Sequence, residues 1–239
     1  MESEIDRLMI GERALTTIRD AGLELELCND FEEAQRMSLT AGRALIMPTF
    51  AISSAHLARQ SAFWLFLKQG GKPVACVAAT LQQLGRESLA DFLVRTYRNQ
   101  FPHPNGETIL EVAEPLYDYS GSLVYVGELA RRDGFKGDRK VLAALMRVMQ
   151  LVAIDRWDFD AIYAFIPARH YKARLDRVYS FSTVIEAAQL WNEPVPEKRS
   201  SDEYLVSSTR AQLANSLRAE ARGFWGSLQV ESCQEVAQV

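Results

Sequence analysis

The apolar positions of this 239-residue chain change their spacing in a regular way, and each change predicts an element. Ile5, Leu8, Met9, Ala14 and Ile18 recur near the helical period, so residues 4–21 are expected to form a helix that Gly22 stops. Leu23-Glu-Leu-Glu-Leu-Cys28 alternates with period two, the pattern of a half-buried strand. Asn29-Asp30 ahead of Phe31-Glu32-Glu33 reads as a capped helix start, with the helix expected to run to Leu45 and Pro48 in the connection beyond. Two apolar runs, 62–67 and 73–80, flank Gln69-Gly70-Gly71-Lys72. A double glycine supplies the positive-φ positions of a tight turn, so these runs are expected to form a hairpin. Residues 86–101 are expected to be helical, and 103–120 to be an irregular connection.

The most informative stretch runs from Gly121 to Phe181. The apolar run Ser122–Val126 predicts a buried strand, ending in Gly127-Glu128-Leu129. A basic, glycine-punctuated loop follows, Arg131-Arg-Asp-Gly-Phe-Lys-Gly137, then an amphipathic segment over 139–154. A second strand is expected at 161–166, then a helix-like stretch closing on Val178-Tyr179-Ser180-Phe181. Beyond it come a strand at 183–190, a polar loop around Pro194-Val-Pro196 and 198–202, and a last helix over 209–224. The fold class expected is mixed α/β, its hairpin antiparallel and its strands at 122 and 161 joined by a parallel crossover. No internal repeat or low-complexity tract interrupts the pattern.

Composition narrows the class. Charged residues make up 24% and apolar ones 48%, with a net charge of −4, which gives nucleic acid no global electrostatic footprint. No apolar run approaches the ~20 residues that span a bilayer, and the acidic start Met-Glu-Ser-Glu lacks a secretion-signal layout. Cys28, Cys76 and Cys233 are widely spaced, with no histidine at ligand spacing, so reduced thiols and no metal are expected. A cytoplasmic location is the resulting expectation.

These residues resemble the GNAT superfamily of acyl-CoA-dependent N-acyltransferases over about residues 22–191. In that family a hairpin precedes a central strand, which runs into an Arg/Gln-x-x-Gly-x-Gly/Ala loop. Here Arg131 and Gly134 match, while Gly137 comes one residue late. The family often ends its next helix in a Leu-Tyr-x-x-x-Gly-Phe phrase, and Arg177-Val-Tyr179-Ser180-Phe181 resembles it in having the tyrosine and phenylalanine but a serine where glycine is usual. Glu128-Leu129-Ala130-Arg131 is similar to a Glu-Leu-x-Arg phrase of the acyl-homoserine-lactone synthases, a GNAT-like branch with long acyl donors. The resemblance implies a GNAT-like mixed sheet flanked by helices, with extra N- and C-terminal helices. The expected divisions are 1–21 (helix), 22–191 (acyltransferase domain) and 192–239 (loop and helix packed on it).

The implied chemistry is acyl transfer from acetyl-CoA, another acyl-CoA or an acyl-carrier protein to the amine of a small molecule. The oligomeric state is left open, a homodimer included. Gly127 and Leu129 would line the thioester arm. Arg131, Arg132, Gly134, Phe135, Lys136, Gly137 and Arg139 would hold the pyrophosphate. Apart from any family, a helix starting near Arg139 presents unpaired N–H groups and about half a positive charge, and glycines allow close backbone approach. The bland alternative is a charged turn capped by Asp138. Glu128 is the candidate base, or else a carboxylate paired with Arg131 or Arg132. Tyr179 is the candidate acid, or else a core aromatic. His170 is read as structural, though near the site, and Tyr117, Asp118 and Tyr119 as lying where an acceptor pocket could form. A GNAT-shaped protein that binds acyl-CoA or a partner without turnover is the alternative function.

Overall fold

The computed structural model describes residues 4–50, 61–104, 106–135, 137–197 and 199–223; His56, Lys136 and Cys233 lie outside them. Seven strands form one mixed sheet in the order β1 (Glu24–Cys28), β2 (Ala62–Gln69), β3 (Lys72–Gly85), β5 (Gly121–Arg131), β6 (Ala161–Ile166), β9 (Tyr204–Thr209), β7 (Thr183–Ile185). A two-stranded sheet pairs β4 (Ile109–Val112) with β8 (Gln189–Trp191). The expected hairpin is β2–β3, and β5 and β6 are parallel, as a crossover through a helix requires.

The helices are α1 (Glu4–Asp20), α2 (Phe31–Thr40), α3 (Leu89–Gln100), α4 (Arg139–Arg156), α5 (Ala168–Lys172), α6 (Leu175–Val178) and α7 (Arg210–Ala221). They divide the core into two layers. Ile10, Ala14 and Ile18 of α1 pack with Leu145, Met149 and Ala153 of α4 on one face of the sheet. Phe31 and Met37 of α2 pack with Leu89, Leu93 and Tyr97 of α3 on the other. The strands between are apolar on both sides: every residue from Ala62 to Leu67 is buried, the signature of a sheet covered on both faces.

Several expectations need correction. Helix α2 stops at Thr40 rather than Leu45, because Gly42 sits at φ 98° and Gly42 and Arg43 donate back to Leu39 and Ser38, a Schellman close. The 103–120 connection contains β4 and a 3₁₀ turn, Glu114–Asp118. The single strand expected over 183–190 is two, β7 and β8, in different sheets. Between the expected polar loop and the last helix, where no element was expected, lies β9, which pairs with both β6 and β7. Its Ser207 and Ser208 are buried, and their hydroxyls are satisfied by Tyr119 and Ser182.

Helix α6 also ends in a Schellman close: Phe181 donates to Asp176 and Ser180 to Arg177. The residue at the left-handed position is Ser180, φ 58°. Because a side chain there costs about 1 kcal/mol that glycine avoids, Ser180→Gly is expected to raise the melting temperature. A fall on thermal unfolding would show that the serine side chain supplies more than its backbone costs.

Candidate functional site

The site begins with an irregularity in β5. Gly127 opposes Ala78 and Ala130 opposes Cys76, so Glu128 and Leu129 together face Val77. This is a bulge, and its first residue, Glu128, takes φ 56°. Before it, Gly127 lies so close to Phe50 that an added Cβ would sit 2.8 Å from the ring. Strand β5 therefore continues through the expected end at Leu129 as far as Arg131.

On its other side β5 pairs with β6 only from Leu123–Ala161 to Tyr125–Tyr163. Both strands continue, to Arg131 and Ile166, without further pairing between them. The ladder thus opens into a cleft beyond Tyr125, flanked by β5 residues 126–131 with no strand partner on that edge among the described residues. At the mouth lie the 131–137 loop and the start of α4 on one side and α5 on the other. Arg139 Nη2 bridges them, donating to the Ala173 carbonyl at 3.0 Å.

The loop is held by its own chain. Arg132 N–H donates to Val74, Phe135 N–H to Arg132, and the Arg131 guanidinium to the Phe135 carbonyl at 2.8 Å. Gly134 is at φ 82°. Asp138 caps α4 by accepting from Lys140 N–H, as the sequence suggested, and so takes up one of the N–H groups a phosphate would use. Arg132, Gly134, Phe135, Gly137 and Asp138 border a cavity of about 390 Å³, shared with Leu23 and Gln69. Of the expected loop residues, Arg132, Gly134, Phe135 and Gly137 thus meet at one cavity, while Arg131 and Arg139 do not line it.

Glu128 is in a different setting from the one expected. Its carboxylate is completely buried and accepts from Arg43 Nε at 2.9 Å, Arg43 Nη2 at 3.2 Å and Met47 N–H at 3.0 Å. Its partner is therefore Arg43, beyond α2, rather than Arg131 or Arg132. Burial pushes the carboxyl above its ordinary range, and Arg43 and the Met47 amide oppose that shift. Cys76, donating to the Glu128 carbonyl at 3.2 Å, is pushed up to about 12 by its own burial and stays a thiol.

Tyr179 is buried against α4, and its carbonyl accepts from Gln150. Its hydroxyl lies 3.5 Å from His170 Nδ1. Burial raises the phenol and, with Arg169, lowers the imidazole, so the pair is a protonated phenol beside a neutral ring. His170, read as structural, thus meets the candidate acid.

Tyr117, Asp118 and Tyr119 line neither the cavity beside the loop nor a second one. Tyr117 and Asp118 are exposed, and Tyr119 bonds Ser207 at 2.7 Å. A second cavity, of about 360 Å³, lies instead at the closed end of the cleft. Tyr125 and Tyr163, the last paired residues of β5 and β6, line it with Thr80 and Gln82 of β3 and Phe92 and Tyr97 of α3. Only long-range pairing brings these side chains together, which is why no local motif marks them.

No protein-family model matches the chain, and no curated protein matches it. Solved structures do. FeeM, an N-acyl amino acid synthase from uncultured soil microbes, is 14% identical with a TM-score of 0.44, over 81% of this chain and 97% of that one. An agmatine N-acetyltransferase is 12% identical with a TM-score of 0.49, over 78% and 99%. Naa50 of Arabidopsis thaliana, in complex with a bisubstrate analogue, is 12% identical with a TM-score of 0.42, over 78% and 98%. The chain itself is a mixed α/β fold, a seven-stranded mixed sheet flanked by helices. At these identities the likeness is one of fold alone.

Proposed function

We propose that this protein transfers an acyl group from a coenzyme A thioester, or an acyl-carrier protein, to the amine of a small molecule. The observation that carries the reading is the early end of the β5–β6 ladder, with a glycine-containing basic loop and a helix start at its mouth. An extended thioester arm can add to the free β5 edge as a strand would, along Gly127, Glu128 and Leu129. Arg131, Arg132, Lys136 and Arg139 supply cations for the pyrophosphate, and the backbone of Gly134, Phe135 and Gly137 supplies close approach.

Within this reading Tyr179 protonates the departing thiolate, with His170 as its partner. Glu128 acts through geometry: buried and paired with Arg43, it holds the β5 bulge opposite Val77, beyond the last β5–β6 pair, and the incoming amine sheds its proton to solvent. A second reading, acyl-CoA binding without turnover, is favoured by that same burial, which takes the one carboxylate on the cleft strand out of proton transfer.

Thermal unfolding with acetyl-CoA and with a long-chain acyl-CoA tests both. A ligand at ~100 times its dissociation constant stabilises by about 2.7 kcal/mol, and Arg132→Ala is expected to weaken binding about tenfold. Release of CoA thiol with an amine, reduced on the order of 10²-fold in Tyr179→Phe, supports transfer. Stabilisation without any release supports the binding module, and no stabilisation by any acyl-CoA or by an acylated carrier protein overturns both readings.

A further inference from the structure

The buried residues of α4 are apolar except for two, Arg147 and Gln150, and neither of these lines the cavity at the loop or the one at the closed end of the cleft. Burying a guanidinium and an amide in such a face is costly unless their polar atoms are met. Their partners form a chain. Arg147 Nη2 pairs with the Glu220 carboxylate in the last turn of α7, and Arg147 Nη1 donates to Gln150 Oε1 at 2.6 Å. Gln150 Nε2 donates in turn to the Tyr179 carbonyl at 3.0 Å. A guanidinium only donates and a carbonyl only accepts, so the Gln150 amide fits between them one way round.

The chain ends on a residue that its own segment holds weakly. Helix α6 is a single turn, Leu175–Val178, with left-handed residues on both sides, Arg174 at φ 57° and Ser180 at φ 58°. Both conformations are unfavourable for a side chain, and a single turn closes few hydrogen bonds. The Tyr179 hydroxyl does not anchor itself, since 3.5 Å to His170 Nδ1 is long for a hydrogen bond. Helix α4, by contrast, has 18 residues and packs against α1 and the sheet. Its tie to the Tyr179 carbonyl joins the loose turn to the firmest helix nearby.

We infer that Gln150 is a positioning residue: with its amide oriented by Arg147 and Glu220, it fixes the direction of the Tyr179 phenol for proton delivery to the departing thiolate. The inference rests on the acyltransferase reading, in which the N–C bond forms as the C–S bond breaks. Sulfur takes the Tyr179 proton, and the phenolate recovers one from solvent. A Gln150 with a structural role alone would satisfy the Tyr179 carbonyl, which lies at the end of α6, and leave the chemistry untouched.

The test is a double-mutant cycle of Gln150→Met and Tyr179→Phe in the full chain. It measures CoA release from acetyl-CoA or dodecanoyl-CoA with whichever of tyramine, putrescine and leucine the parent acylates. Gln150→Met keeps the length of the side chain and removes both hydrogen bonds. It is expected to lower kcat about tenfold, part of the ~10²-fold that a misplaced group can cost, with KM for the acyl-CoA within about twofold. In the Tyr179→Phe background the same change should cost less than about twofold, because groups that act as a unit are not additive. An unchanged kcat, a raised KM in its place, or equal losses in both backgrounds overturns the inference and leaves the transferase reading standing. If Gln150→Met does not fold, Gln150→Glu replaces it. An ionised carboxylate keeps the Arg147 bond but cannot donate to Tyr179, so the same non-additive loss is expected.

A second readout needs no turnover and decides the matter if none of the three amines is acylated. Burial raises the Tyr179 phenol. In ¹³C NMR of protein labelled at tyrosine Cζ, with Tyr179 assigned by its loss in Tyr179→Phe, both Gln150 variants should bring its titration down towards about 10, the ordinary tyrosine value. A Tyr179 signal that titrates as in the parent overturns the inference. Full activity in Tyr179→Phe removes the acid from the transferase reading. Failure of every acyl-CoA and acylated carrier protein to bind removes that reading itself, and either result takes the inference with it.

Discussion

Arg43→Ala is expected to destabilise the fold by about 3–5 kcal/mol near neutral pH, because it leaves a buried carboxylate without its counter-charge. The Glu128 side chain has no solvent exposure, and of its three donors only Met47 N–H would remain. The loss should depend on pH in a defined direction. Burial already raises the Glu128 carboxyl, and without Arg43 nothing but one amide opposes that rise. A raised carboxyl in the folded state contributes stability below its unfolded value, near 4.3, and loses it as pH climbs through the folded value. The gap between variant and parent should therefore be small at acidic pH and widen towards neutrality. Urea midpoints across that range measure it, and Arg43→Met combined with Glu128→Gln should recover much of the loss. A gap under 1 kcal/mol at neutral pH would mean that the pair is open to water in solution.

Gly42→Ala is expected to cost about 3 kcal/mol, combining a left-handed backbone with an overlap that nothing flexible can relieve. An added Cβ would stand 2.5 Å from the Arg131 carbonyl oxygen and 2.8 Å from Arg132 Cα, both backbone atoms at the entrance of the basic loop. Relief requires moving either the end of α2 or the loop itself, so acyl-CoA stabilisation should fall together with folding stability. Gly22→Ala separates the two causes. Its φ of 71° is equally left-handed, but no atom lies within 4 Å of its added Cβ, so only the conformational cost of about 1 kcal/mol should appear. Equal losses in the two variants would remove the steric part of the argument.

What the sequence made legible was local in origin. The Gly70-Gly71 hairpin, the apolar runs of β2, β3 and β6 and the Asp138 cap each announce themselves within a few residues, and each is present. Misread elements have their cause at a distance. Strand β9 carries three hydroxyl residues in a row, Ser207-Ser208-Thr209, and the sequence predicts no element there; Tyr119 and Ser182 satisfy the buried ones. The partner of Glu128 is 85 residues away, so sequence neighbours Arg131 and Arg132 looked like the natural choice. The second cavity draws on β3, β5, β6 and α3, and no single stretch encodes it.

The position of β9 bears on how the chain reaches this state during synthesis. It is the last strand among the described residues, yet it sits inside the main sheet, between β6 and β7. Until residues 204–209 emerge from the ribosome, β6 lacks its antiparallel neighbour and β7 has no place to pair. A nascent chain would hold an apolar strand, Ala161-Ile-Tyr-Ala-Phe-Ile166, with an unsatisfied edge for as long as translation of residues 167–209 takes, which at about 5–20 residues per second is a matter of seconds. Such an edge is a template for the wrong strand, which makes slow translation or truncation upstream of Tyr204 a route to aggregation rather than to a smaller folded protein.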